Sequence, residues 1–396
     1  MSDDDRPSRL SGDTPEPQPQ KSQQPQQPQK QDHEVSAPRS QAVNRRSVLR
    51  TAAIGGGVLA TGSAALIRSA LQSPSRAATK TAKGGRALRD PVPGGTLDPT
   101  TVPKYVATLP ILAAMPRTGT ASGGSVDYYT IAVRQFRQQI LPGGYPSTTV
   151  WGYGSTSASG TFHAPAFTIE TQVGRKVRVV WANQLVDSSG NYLRHPLTVD
   201  PTLHWTNPPG GISGRDSTPT FASTPPPYTG PIPLVTHLHG AHSQPDSDGY
   251  PEAWYLPVAR NIPSSYATVG TWYSTFKSAF AQREGVNWSP GSATFQYTND
   301  QRATALWFHD HALGMTRVNV HMGLAGFFML RGGSSDLPSG VLPGPAPRRG
   351  DPAGTRYYEI PMVIQDRSFN ADGSMFFPTT RGTFGDTPPD GPWIPS

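Results

Sequence analysis

THLHGAHSQPDSDGYPEAW (Thr236–Trp254) is answered further on by LWFHDHALGM (Leu306–Met315), and each stretch holds a His-x-His pair. The pairs are His237 with His239 and His309 with His311, four of the ten histidines in the chain. On an extended strand, side chains at i and i+2 leave the same face, with origins about 6.5 Å apart. That spacing is wide for two bonds to one metal and comfortable for two imidazoles reaching different metals of a cluster. The flanks read as strands: Ile232–Leu238 (IPLVTHL) is apolar and β-branched, and Ala303–Phe308 (ATALWF) is small, apolar and aromatic. Two such strands side by side present four imidazoles to one point. An all-imidazole donor set suits copper, zinc, iron or nickel and excludes magnesium and calcium.

Three other metal folds fail on the letters. His237, His239 and His242 have the spacing of a metallo-β-lactamase motif, but Ala241 stands where that motif needs Asp. A cupin needs Glu shortly after the second His, and Ser243 and Gln244 occupy that place. An amidohydrolase barrel alternates strands with long helices, and no such alternation occurs.

HLHG with DSDGYPEAW, followed by WFHDHALGMTRVNVHMGLAGFFMLRG, resembles the N-terminal domain of multicopper oxidases. The group is that of bacterial spore-coat laccases, bilirubin oxidases and phenoxazinone synthases. The resemblance runs from about Leu97 to the C-terminus. It implies an all-β fold, a Greek-key cupredoxin β-sandwich with long loops. It also implies copper, with His237 on the type 2 ion and His239, His309 and His311 on the type 3 pair, the last two on different ions. The complete cluster takes eight histidines, so these four are half of it. The other half comes from motifs of the form His-x-x-His-x-His and His-Cys-His, which this sequence lacks. Type 1 copper requires a Cys thiolate, and the chain has no Cys, so neither that site nor a disulfide is possible within it. By the same resemblance Asp248 matches a carboxylate that helps deliver protons to reduced dioxygen. Read alone, Asp248 equally well shapes a turn at Gly249. Asp310 alternates with the two histidines around it and faces away from the metals. His195 and His204 read as loop residues, His242 as a loop residue or one standing behind the ligands, and His321 as structural.

The remainder of the chain is ordered around this core. Residues 1–43 are Gln, Pro, Ser, Asp and Lys and are expected to form a disordered tail. Residues 44–83 read as a twin-arginine export signal: NRRSVLR at Asn44–Arg50, then the weakly apolar 17-residue run Thr51–Ile67. That run is too short and Gly-rich for a stable membrane span, with an uncut anchor as the alternative. The destination is then periplasm, cell wall or exterior. Residues 1–83 carry 12 Lys and Arg against 7 Asp and Glu of the chain's 34 and 27, which leaves a near-neutral 22 against 20 for the body. The overall charge of +7 is therefore no sign of nucleic-acid binding.

Residues 84–384 are expected to be the first cupredoxin domain, and residues 385–396 a linker toward a second. Strands are expected over Tyr128–Ile140, Thr148–Tyr153, Thr294–Tyr297, Gly323–Arg331 and 357–366. A hairpin is expected over Pro165–Leu185, turning at Gly174, with Val177, Val179 and Trp181 inward. Short helices are expected within 271–284 and 312–322, and a hairpin turn at Asp372-Gly373. The expected partners are copper ions, dioxygen, further cupredoxin domains in cis or in trans, and a phenolic or pigment substrate of the complete enzyme. The alternative is a stand-alone exported copper-binding protein without oxidase activity.

Overall fold

The computed structural model describes residues 96–201, 206–217, 226–338 and 358–377, with isolated positions at 220, 341, 352 and 356. The tail, the twin-arginine segment with Arg45 and Arg46, His204 and the 385–396 linker lie outside the described residues. Among the described residues, no helix is long and apolar enough to cross a membrane.

The described residues form eleven strands: β1 Gly119–Ala121, β2 Val126–Gln138, β3 Thr148–Ser155, β4 Ala166–Gln172, β5 Lys176–Asn183, β6 Thr236–His239, β7 Ser292–Tyr297, β8 Thr304–Asp310, β9 Ala325–Arg331, β10 Ser368–Phe369 and β11 Met375–Phe376. The helices are α1 Gly211–Gly214, α2 Tyr273–Glu284 and α3 Thr316–His321. One sheet runs β1-β2-β5-β7, with β3 also on β2; the other runs β4-β9-β8-β6. Each mixes antiparallel neighbours with one parallel pair, β2 with β5 and β4 with β9. The two sheets make the cupredoxin β-sandwich that the motifs imply.

The layers are glued by aromatic rings from both. Tyr153 on β3 and Trp181 on β5 meet Phe308 on β8, with centroids 5.1–5.4 Å apart, and all three are buried. Full burial of a ring such as Phe308 contributes about 1.5–3 kcal/mol. The polar tips are satisfied: the Tyr153 hydroxyl lies 3.2 Å from the Thr236 hydroxyl, and Trp181 Nε1 donates to Tyr297 Oη at 3.2 Å.

Two expectations need correction. Pro165–Leu185 is not a hairpin. The turn does fall at Gly174, with φ at +77°, and Val177, Val179 and Trp181 do face inward. However, β4 pairs with β9 and β5 pairs with β2 and β7, so the chain crosses between layers at this turn. Alternation sets which face of a strand is buried and leaves its neighbour open. Residues 358–366 form no strand either. The segment has no sheet partner among the described residues, and Tyr358, Met362, Val363 and Ile364 are exposed. The other expected strands, both helices and the turn at Asp372-Gly373 are present, the strand expected over Ile232–Leu238 only as Thr236–His239.

Helix α2 braces the segment that carries Asp248. Gly285 ends the helix in the left-handed conformation, its N–H on the Ala281 carbonyl. Arg283 in its last turn pairs with Asp246, and Gln296 N–H donates to Ser247 Oγ at 3.1 Å. The loop leading into Asp248 is thereby tied to a helix and a strand.

Candidate metal centre

Strands β6 and β8 pair antiparallel with His237 directly opposite His309 and His239 opposite Trp307. Strict alternation sends Leu238 and Phe308 into the core and the histidines to the opposite face. His311 lies just past β8, where its backbone N–H donates to the Val235 carbonyl at 2.7 Å. The pairing brings the two His-x-His motifs together, three of the four imidazoles most closely. Ring centroids lie 5.5 Å apart for His237–His239 and His237–His309, and 5.6 Å for His239–His309. Ring nitrogens of these three lie within 4.8 Å of one another. His311 completes the group as a neighbour outside that triad, its ring 5.0 Å from His237 and 5.5 Å from His309.

The hydrogen bonds select which nitrogens are free. His237 Nδ1 donates to the Asp248 carbonyl at 2.5 Å, and His309 Nδ1 donates to the Asp310 carbonyl at 2.7 Å. Each bond fixes a tautomer whose Nε2 keeps its lone pair. His239 differs: its Nδ1 faces His309 Nε2 at 3.4 Å. His311 Nδ1 is buried with no hydrogen-bond partner among the described residues. Burial first, then the adjacent imidazoles, pushes the His309 pKa down to about 4, and burial with His237 lowers that of His311. Two imidazoles held neutral by burial, at His309 and His311, ring nitrogens gathered within 4.8 Å in His237, His239 and His309, and an orphaned buried nitrogen fit a transition-metal site.

Two carboxylates frame the cluster. Asp310 is fully buried on the core side, as alternation predicts. It accepts from Val235 N at 3.1 Å, Ala312 N at 3.2 Å and Asn319 Nδ2 at 2.8 Å, so it ties both histidine strands together. Burial raises its pKa to about 7 against the pull of those donors. Asp248 stands at the rim with its side chain 40% exposed and Oδ1 3.8 Å from His237 Nδ1. Its carbonyl, rather than its carboxylate, holds the histidine.

A cleft of 610 Å³ lined by Arg117, Asp127, Glu170, Arg175 and Arg331 shares no residue with the histidines. Its guanidiniums are paired: Arg117 and Arg175 with Asp127, Arg331 with Glu170 and Glu359.

No family model matches the chain. Individual proteins do. A laccase of Bacillus stratosphericus is 31% identical over 252 residues, 64% of this chain and 36% of that protein. A multicopper oxidase of Arabidopsis thaliana is 33% identical over 235 residues, 59% of this chain and 30% of that one. The chain belongs to the multicopper oxidase family. It spans about a third of the length of these multicopper oxidase relatives. Among solved structures, a multi-copper oxidase from Pediococcus acidilactici aligns with a TM-score of 0.34 and 19% identity, covering 59% of this chain and 31% of that one.

The other described histidines of this multicopper oxidase chain stand apart from the cluster. His195 accepts from Leu197 N at 3.0 Å and packs on Trp151. His242 is an exposed loop residue 3.2 Å from Asp300. His321 donates to the Phe376 carbonyl at 3.2 Å and accepts from Arg367 at 3.0 Å, a structural link. Sequence reasoning passes over one residue of the cluster, Trp307, whose ring lies flat on both His239 and His309. Its position two before His309 on one strand is the signal for it.

Proposed function

We propose that this chain is the first cupredoxin domain of a laccase-type, copper-dependent oxidase, with His237, His239, His309 and His311 as copper ligands. The observation that carries this reading is the register of β6 on β8, which gathers three imidazoles with nitrogens within 4.8 Å. Family membership favours copper among the metals that imidazole suits. The four histidines form half of a type 2 and type 3 trinuclear cluster, with His237 on the type 2 ion and the other three on the type 3 pair. Further cupredoxin domains, in cis or in trans, supply the other half, in keeping with the third of its relatives' length that the chain spans.

Bound copper supplies the reducible centre through which four electrons pass to dioxygen. The chain's own residues do the rest. The carbonyls of Asp248 and Asp310 orient two imidazoles and leave their Nε2 atoms free to hold copper. Asp310 locks β6 to the turn after β8. The Asp248 carboxylate, exposed at the rim, moves protons between solvent and the centre. A copper held by a Cys thiolate would supply the entry point for electrons, and since this chain has no Cys a further domain would have to hold it. A phenol or pigment substrate would then be taken up by that further domain, outside this chain. The twin arginine at Arg45 and Arg46 directs export.

The absence of Cys favours a second reading, an exported copper-binding protein without oxidase activity. Copper titration with dioxygen uptake tests both. Copper uptake without turnover of a phenolic dye, and turnover once the further domains are added, supports the oxidase. Turnover by this chain alone contradicts the account, and copper uptake that further domains never convert to turnover favours the second reading.

A further inference from the structure

His237 and His309 are each held by an N–H···O=C bond to the backbone, whereas His239 has no such anchor among the described residues. It lies on β6, the edge strand of its sheet, and is exposed. A ligand imidazole free to rotate about χ2 presents its nitrogen to the metal only part of the time, and partners that orient ligands are worth 10–100-fold in metal affinity.

The ring that meets His239 is Trp307, its direct cross-strand partner. The planes are 28° apart with centroids at 5.2 Å. The same indole lies on His309 at 4.2 Å and 30°. Trp307 remains 38% exposed, while its neighbours Leu306 and Phe308 point into the core. Its contribution is therefore not core filling: one flat face covers two imidazoles. Stacked rings resist rotation out of the shared plane, so the indole does for His239 what a carbonyl does for His237.

We propose that Trp307 is a positioning residue of the metal centre, setting the ring plane of His239 and, through it, copper affinity. This rests on copper binding at the four histidines, and a single set of measurements separates the two. In the copper-free wild-type chain, NMR of the imidazole protons shows His239 and His309 shifted upfield by the indole, with exposed His242 as reference. Copper is then titrated into the wild type, Trp307→Leu, Trp307→Phe, His239→Ala and the double variant Trp307→Leu/His239→Ala. The expected result is a loss of about tenfold in copper affinity for Trp307→Leu. Trp307→Phe, which keeps a flat ring, restores it to within about threefold. In the His239→Ala background Trp307→Leu has no further effect, because the indole acts through that ring. Absence of the upfield shifts overturns the proposal without requiring any variant to fold. So does unchanged affinity in Trp307→Leu, or an equal loss with His239 already removed. A wild-type chain that takes up no copper overturns the copper reading together with this one. Copper uptake indifferent to Trp307 overturns this one alone.

Discussion

Gly249→Ala is expected to damage the metal centre without touching a histidine. Gly249 follows Asp248 with φ at +78°, and a Cβ built there falls 2.1 Å from the Thr236 carbonyl oxygen and 2.7 Å from the His237 Cα. The left-handed conformation alone costs an L-residue about 1–2 kcal/mol. The overlap with β6 backbone adds about 1–3 kcal/mol, because the turn has to move outward by about an ångström. That movement stretches the bond from His237 Nδ1 to the Asp248 carbonyl, for about 1 kcal/mol more. The sum is about 3–6 kcal/mol. Gly174→Ala is the control. Its φ is +77°, but nothing lies within 4 Å of its Cβ, so only the conformational term of about 1–2 kcal/mol applies. Urea unfolding of both variants, with copper titration, reads the difference. Gly249→Ala should be the less stable by at least about 1 kcal/mol and should lose copper affinity, while Gly174→Ala binds copper as the wild type does. Equal unfolding midpoints for the two variants, or undiminished copper binding in Gly249→Ala, would refute the claim that this turn shapes the site.

Three further outcomes are expected. Asp310→Asn should destabilise by about 1–3 kcal/mol in chemical denaturation, since the amide loses the Ala312 N–H, and Asn319, whose Oδ1 has no partner among the described residues, can turn to meet it only by giving up its own bond to the Pro233 carbonyl; an unchanged midpoint would remove Asp310 as the tie between the histidine strands. Burial and Arg367 hold His321 neutral down to about pH 4, whereas the unfolded residue protonates near 6.5. The unfolded state therefore binds the extra proton in that window, so stability present above 6.5 is lost as pH falls toward 4, and His321→Gln should flatten that limb of the stability profile; parallel profiles would argue against it. Replacing Arg45 and Arg46 by Lys should block export, measured as the fraction of chain outside the cytoplasm, and unimpaired secretion would sink the export assignment.

Much of the site was legible in the sequence because its chemistry is local. Period-2 alternation alone places His237 with His239, and His309 near His311, on one face, and turns Asp310 toward the core. The pairing of β6 with β8 was a fair inference from two matching motifs. Partners elsewhere were not legible. Gly174 marks a turn whether the chain folds back beside β4 or crosses to the other layer, and the alternation of Val177, Val179 and Trp181 is the same in both. Residues 358–366 have the composition of a strand, but a strand needs a neighbour to bond, and composition does not supply one. Trp307 was missed for a third reason: an aromatic in an apolar run reads as core, although its place two before His309 puts it on the histidine face, and the register opposite His239 then brings it against a second imidazole.

The central claim is that copper binds at these imidazoles. Copper-edge X-ray absorption of the copper-loaded chain, beside His309→Ala, tests it most directly. The account predicts nitrogen neighbours at about 2.0 Å with the outer-shell scattering of imidazole rings, weakened together with copper content in the variant. An oxygen-only shell, or a spectrum and copper content unchanged by His309→Ala, would contradict it.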